Sequence, residues 1–266
     1  MPGSAMRSRR ADPGESLGDV TDDAVLGGRL KLLQPARGHR AGHDAILLAA
    51  ACPIAKHAID LGAGIGTAGL ALLARGVVER VTLVEIDKQL AGLARANSVK
   101  NGFVARTAIV ATDVGLLARR GGPHHPKASS ADLVLANPPF NDPARRRASP
   151  DIARRRAHAA ADSTLDIWVR AADRLLKAGG TFVLIHRPEA MAAILAALDR
   201  RFGAIELIPI HPRPNKPAIR LIVSAKKGRR TPPIIRPGFM LTEAEAVLRG
   251  GAPLDPRLSA RPARPM

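Results

Sequence analysis

Ala58-Ile59-Asp60-Leu61 runs without a break into Gly62-Ala63-Gly64-Ile65-Gly66-Thr67 and then into the apolar stretch Ala68 to Arg75. The aliphatic run reads as a buried strand, and three glycines in five residues allow the tight bend that converts a strand directly into a helix. Such a turn lets a nucleotide-like ligand approach the backbone and the helix N-terminus. A strand turning into a helix opens a βαβ unit, so the chain is expected to be α/β, a mostly parallel sheet with helices on both faces.

The alternation continues downstream. Val81 to Val84 reads as a second strand, Lys88 to Asn101 as a helix, Ala108 to Ala111 as a third strand and Asp132 to Ala136 as a fourth. Leu165 to Lys177 is an amphipathic helix with Gly179-Gly180 as its expected C-cap. Thr181 to Ile185, Ala204 to Ile210 and Ala218 to Ala225 read as strands, with a helix over Pro188 to Phe202. No helical stretch separates the last two strands, which predicts an antiparallel pair at the sheet edge. Ahead of the glycine turn, Ala24 to Leu33 reads as a hairpin around Gly27-Gly28, and Ala45 to Ala51 as a helix that Asp44 could cap. The expected organisation is a flexible basic tail over 1–22, one domain over 23–228, and a Pro/Arg-rich tail over 229–266 with one helix, Thr242 to Arg249.

Composition limits the partners. The 266 residues carry a formal net charge of +18, with 32 Arg and 9 Lys. Such a field attracts polyanions, nucleic acid first and an anionic membrane surface second. A GC-rich coding sequence produces the same bias. Only 2% of residues are aromatic and none is Tyr, so a broad base-stacking platform is not expected. No apolar run reaches the ~18 residues of a membrane span, and Met1 to Asp12 lacks the apolar core of a secretory signal. A cytoplasmic protein without membrane attachment is the expectation. Cys52 is the only cysteine, which excludes an internal disulfide, and His39 and His43 have no third ligand, so no metal is expected.

The fourth strand ends in Asn137-Pro138-Pro139-Phe140. Prolines cannot continue a central strand, so the tetrapeptide is a stiff loop at the sheet edge where open α/β sheets bind ligands. It presents an amide, two rigid prolines and a ring. Acids end the neighbouring strands. Asp60 precedes the glycines and suits a ligand with a cationic amine. Glu85 ends the second strand, where a carboxylate can accept from both hydroxyls of a ribose. Asp113 follows the third, where it either accepts from an adenine amine or caps the next helix. The triplets Arg145-Arg146-Arg147 and Arg154-Arg155-Arg156 follow the rigid loop; they hold phosphates there or form a solvated charge run.

The order of Asp60-Leu61-Gly62-Ala63-Gly64, Glu85, Asp113 and Asn137-Pro138-Pro139-Phe140 resembles the class I S-adenosylmethionine-dependent methyltransferases of the amino-methylating branch. Leu26-Gly27-Gly28-Arg29-Leu30, Gln34 to Leu48, Ala157-His158, Trp168 and the Pro209 to Lys227 region narrow the resemblance to the tRNA1(Val) adenine-N6 methyltransferase family. The resemblance implies a Rossmann-like fold with a seven-stranded, mostly parallel sheet whose last strand is antiparallel. It implies S-adenosylmethionine as cofactor. Asp60, Gly62 and Gly64 would surround its methionine part, Glu85 its ribose and Asp113 its adenine, with Ile86, Val114 and Asn137 also among the cofactor-binding residues, while Arg40, Gly42, His43 and Asp44 match a covering segment. Asn137 and Pro138 would hold the acceptor amine, with Pro139 stiffening the loop and Phe140 stacking on an extruded base. The implied partner is tRNA, held by the two Arg triplets with Arg213 and Lys216. The alternatives are N5-glutamine methylation of a translation factor, adenine-N6 methylation of rRNA or DNA, and an RNA-binding module with a vestigial cofactor site.

Overall fold

The computed structural model describes residues 19–37, 42–119, 122–139 and 165–255. Two strands, β1 (Val20–Val25) and β2 (Leu30–Pro35), form the expected hairpin. It begins at Val20, earlier than the polar composition of the N-terminal stretch predicts. Its turn uses positive φ at Leu26, Gly27 and Gly28.

The main sheet contains β3 (Ala55–Leu61), β4 (Val78–Glu85), β5 (Thr107–Ala111), β6 (Ala131–Ala136), β7 (Leu176–His186), β8 (Phe202–His211) and β9 (Arg220–Lys227), with short β10 (Ile234–Ile235) and β11 (Phe239–Met240). The order is β10-β8-β9-β7-β6-β3-β4-β5, with β11 also on β8. From β5 to β7 all pairs are parallel, and β9 is antiparallel to both β7 and β8. The expected antiparallel pair, β8 with β9, stands at this end of the sheet, with β9 between β7 and β8 and the two-residue β10 and β11 on the free side of β8. The expected count of seven becomes nine among the described residues.

Strand β6 shows why a parallel sheet needs unbroken apolar runs. Leu133 and Leu135 face one core, with helices α1 (His43–Ala50) and α2 (Thr67–Ala74), while Val134 and Ala136 face the other, and all four are completely buried. The second core is closed by α4 (Val114–Arg119), α5 over 165–175 and α6 (Met191–Leu198). Between β4 and β5 lies α3 (Lys88–Lys100), whose fully buried Asn97 accepts from Leu33 N–H at 2.6 Å and donates to the carbonyls of Leu33 and Ile65, both at 3.0 Å. One amide thus joins the hairpin to the glycine turn. Buried polar groups of this kind persist only when satisfied.

Three expectations are corrected. First, α5 ends at 175 and β7 starts at Leu176, so Gly179-Gly180 is not a helix cap; the pairing shifts from Ala131 with Leu176 to Leu133 with Thr181, and Gly179, at φ +73°, lies in that bulge. Second, Gly42 occupies the α1 N-cap without a side-chain bond, and Asp44 instead accepts from Arg220 Nε at 2.8 Å. Third, residues 229–255 are not coil around one helix. Arg236 makes a two-pronged ion pair with Glu206 on β8, both contacts 2.8 Å, and the last helix is shorter than expected, α7 (Glu245–Leu248), with Val247 buried against α1 and α2. Arg75 Nη1 donates to Ala252 O at 2.9 Å, and Leu254 N–H to Ala50 O at 2.9 Å.

At the opposite end of the sheet from the rigid loop, His57 is buried with both ring nitrogens engaged. Nδ1 lies 3.2 Å from Ser130 O and Nε2 2.9 Å from Thr82 Oγ1. A carbonyl only accepts, so Nδ1 carries the proton and Nε2 accepts from the hydroxyl. Burial holds the His57 pKa below its ordinary value. The sign follows: below about pH 6.5 the unfolded chain gains a proton that the folded chain resists, so stability falls on acidification through this window. His57→Gln is expected to flatten that slope in denaturant melts taken between about pH 7 and pH 5; an unchanged slope would show that His57 does not contribute to it.

Candidate functional site

The C-terminal ends of β3, β4, β5 and β6 open onto one cavity of about 510 Å³. It lies where the strand order reverses between β6, β3 and β4, the place where open α/β sheets hold ligands. Its volume suits a nucleoside-sized molecule. Gly62 and Gly64 form the wall after β3, Glu85 and Ile86 after β4, Thr112, Asp113 and Val114 after β5, and Asn137 and Pro139 after β6. Four separate stretches of sequence thus converge as the motif order predicts.

The glycine turn is held from below and from the side. Gly62, Gly64 and Gly66 take φ of +61°, +56° and +88°, the left-handed region that side chains rarely adopt. A Cβ on Gly64 would meet nothing within 4 Å, so its backbone faces open space, whereas a Cβ on Gly62 would run into Trp168 Cη2. Glu85 is 7% exposed, and its two oxygens accept from Gly64 N–H at 2.7 Å and Asp87 N–H at 2.9 Å. Asp87 caps α3 by accepting from Gln89 and Leu90 N–H. The two acids therefore divide their roles: Asp87 starts a helix and Glu85 faces the cavity.

Asp60 stands apart from the wall. It is 3% exposed, and its Oδ2 accepts from Gly69 N–H at 2.9 Å beneath the turn. Burial pushes its carboxyl up to about 7; the Gly69 N–H opposes this and the Glu85 charge adds to it. Asp113 lines the cavity and accepts from Gly115 N–H at 2.8 Å, so it caps the start of α4 at the cavity wall. Asn137 is half-buried, Pro138 buried and Pro139 exposed, which puts the amide at the mouth with a proline fixed behind it.

Gly42, His43 and Asp44 do not line the cavity; Asp44 is held by Arg220 at the start of β9. Arg40, Phe140, Arg145 to Arg147 and Arg154 to Arg156 lie outside the described residues. Arg213 and Lys216 are exposed in the β8–β9 loop, and because β8 runs with β7 and β6 this loop leaves the same sheet edge as Asn137. Sequence reasoning gave no cavity role to Leu116 and Arg119 on α4 or to Ile167 and Trp168 on α5, all of which line it. The signal for Trp168 was its position on an amphipathic helix, which reads equally well as core. Among the described residues no group of three or more His, Cys, Asp or Glu is arranged to hold a metal ion, and no helix is long and apolar enough to cross a membrane.

Residues 42–212 match the methyltransferase small domain family. Among curated proteins, a tRNA1(Val) (adenine(37)-N6)-methyltransferase of Porphyromonas gingivalis is 30% identical over 193 residues, covering 69% of this chain and 72% of the relative. A protein of the same name from Serratia proteamaculans is 28% identical over 190 residues, 70% of each. Among solved structures, a predicted O-methyltransferase of Agrobacterium tumefaciens superposes with a TM-score of 0.59 at 32% identity, over 74% of this chain and 87% of that one. M. jannaschii TYW2, solved with AdoMet, shares the fold alone, with a TM-score of 0.52 at 13% identity over 83% and 90% of the two chains.

Proposed function

We propose, from the premise that this chain belongs to the methyltransferase small domain family, that it methylates N6 of an adenine in tRNA. The chain is an S-adenosylmethionine-dependent methyltransferase; the proposal concerns its acceptor. The observation that carries it is Asn137-Pro138-Pro139 at the mouth of the cavity whose wall holds Gly62, Gly64 and Glu85.

The residues present fit the cofactor. Gly64, in the left-handed region, leaves open space for a ligand against its backbone, and the Glu85 carboxylate lines the same cavity. When bound, the cofactor supplies an electrophilic methyl on a sulfonium. The chain's part is to prepare the acceptor. An exocyclic adenine amine is a weak nucleophile because its lone pair is delocalised into the ring. The Asn137 carboxamide oxygen and the Pro138 carbonyl accept its two N–H groups, which favours a pyramidal nitrogen with its lone pair free for in-line attack. Proline rigidity keeps both acceptors in place before the base arrives. The base must leave its stack to reach them.

Labelled S-adenosylmethionine incubated with the protein and total cellular tRNA, rRNA and protein tests the acceptor. Label in tRNA, recovered as N6-methyladenine, is the expected result, whereas label confined to protein glutamine overturns it. Arg213 and Lys216 on the same edge would contact phosphates. Replacing both with Ala is expected to weaken tRNA binding uniformly and to lower the slope of log affinity against log salt by about one to two units, as counterion release requires. Cofactor affinity is expected to stay unchanged, and an unaltered salt slope would remove these residues from the interface.

A further inference from the structure

We propose that Trp168 is a cofactor-contacting residue whose indole ring recognises the positive charge of the methyl donor, so that the site distinguishes sulfonium donor from neutral thioether product. The inference rests on the cofactor assignment above and not on the identity of the acceptor.

Trp168 is the only tryptophan of the chain. It sits on α5, where Leu165, Val169, Ala172 and Leu175 are buried in the second core, while Trp168 is half-buried and lines the cavity. Among the described residues lining that cavity it alone is aromatic. The four described phenylalanines are placed elsewhere: Phe182 and Phe202 pair in the core with ring centroids 5.7 Å apart, Phe103 stands beside Arg106, and Phe239 on β11 packs against the first core.

The ring is fitted to the glycine turn. The tip of its six-membered ring, Cη2, would clash with a Cβ on Gly62, and Cζ3 lies 3.1 Å from that Cβ position. Gly62 is therefore free of a side chain at the one place where the indole comes against the turn. With the methionine part of the cofactor beside Gly62 and Gly64, as the family resemblance implies, its sulfonium would come near this ring. Among the described residues lining the cavity the carboxylates are those of Glu85 and Asp113, at the ends of β4 and β5. Both Glu85 oxygens accept backbone N–H groups, Asp113 lies at the end of β5, and Asp60 points beneath the turn to Gly69. An indole ring beside the glycine turn supplies a complement there, because the face of an aromatic ring attracts a cation, most strongly for Trp. It does so without adding a nucleophilic or acidic group beside a reactive methyl. After transfer the product carries no sulfonium charge and this attraction is lost, which favours exchange of product for fresh donor.

Binding measured by calorimetry without any acceptor tests this. The ligands are S-adenosylmethionine, sinefungin with an ammonium in place of the sulfonium, and S-adenosylhomocysteine with neither charge. Trp168→Leu is expected to weaken the two cationic ligands about 5- to 30-fold while changing S-adenosylhomocysteine less than about 3-fold, with Trp168→Phe between. Equal weakening of all three ligands in both variants overturns the proposal and leaves the ring a packing role. Unchanged binding of all three also overturns it; if the acceptor KM then rises, the ring belongs to the base. Trp168→Phe preserves most of the packing and keeps the test decisive should Trp168→Leu fold poorly. Because no acceptor is present, a wrong acceptor assignment would leave these outcomes unaltered.

Discussion

Asn137→Ala is expected to lower the rate of methyl transfer by at least about 10²- to 10³-fold, the range lost when one preorganised polar contact to a reacting group is deleted. Cofactor affinity is expected to stay within about threefold of the parent, because the proposed cofactor contacts lie chiefly with Gly62, Gly64, Glu85 and Asp113 on the cavity wall. Stability should change little, since Asn137 follows the last residue of β6 and is only half-buried. Single-turnover kinetics with saturating donor, combined with calorimetric binding, separate these quantities. Asn137→Asp retains an acceptor oxygen at the same place and should keep more activity than the Ala variant. Near-normal turnover in Asn137→Ala would remove the amide from the chemistry and with it the reason to prefer an amine acceptor.

The fold and its site were legible to different depths. β3, β4, β6 and the glycine turn were readable because strands buried on both faces must be apolar throughout, and because a strand entering a helix in so few residues requires glycine. Glu85 was readable as the acid that ends a strand, and it stands at the end of β4 in the cavity wall. The C-terminal segment was misread. Proline and arginine look like coil, yet arginines act here as clamps: Arg236 grips Glu206, Arg75 the Ala252 carbonyl and Arg29 the Gly250 carbonyl. Such pairs join residues far apart in sequence, and no local pattern announces them. The antiparallel pair of β8 and β9 at the sheet edge was readable, whereas the two-residue strands β10 and β11 beside β8 were not, for a related reason: so short a pairing leaves no local pattern. Asp44 shows the same limit. A cap is a local inference, and its true partner, Arg220, is 176 positions away.

Gly62→Ala is expected to have the larger effect of the two glycine substitutions in the turn. Gly62 and Gly64 have nearly the same φ, +61° and +56°. Holding an L-residue there costs about 1–2 kcal/mol, so backbone strain alone predicts similar penalties for both. Their surroundings differ. A Cβ on Gly64 enters open cavity space, whereas one on Gly62 collides with Trp168. Forcing a methyl into occupied space adds about 1–3 kcal/mol. Gly62→Ala should therefore destabilise the fold by about 2–5 kcal/mol, and Gly64→Ala by about 1–2 kcal/mol. Both should weaken cofactor binding, for different reasons: Gly64→Ala fills space the ligand needs, and Gly62→Ala displaces the turn or the indole. Adding Trp168→Ala to each variant separates the causes. It should recover about 1–3 kcal/mol of the loss in Gly62→Ala and none in Gly64→Ala, a non-additivity that a thermodynamic cycle measures directly. Strict additivity at Gly62 would mean that the ring and the turn are not in contact. That result would also withdraw the geometric ground for placing the indole beside the methyl donor.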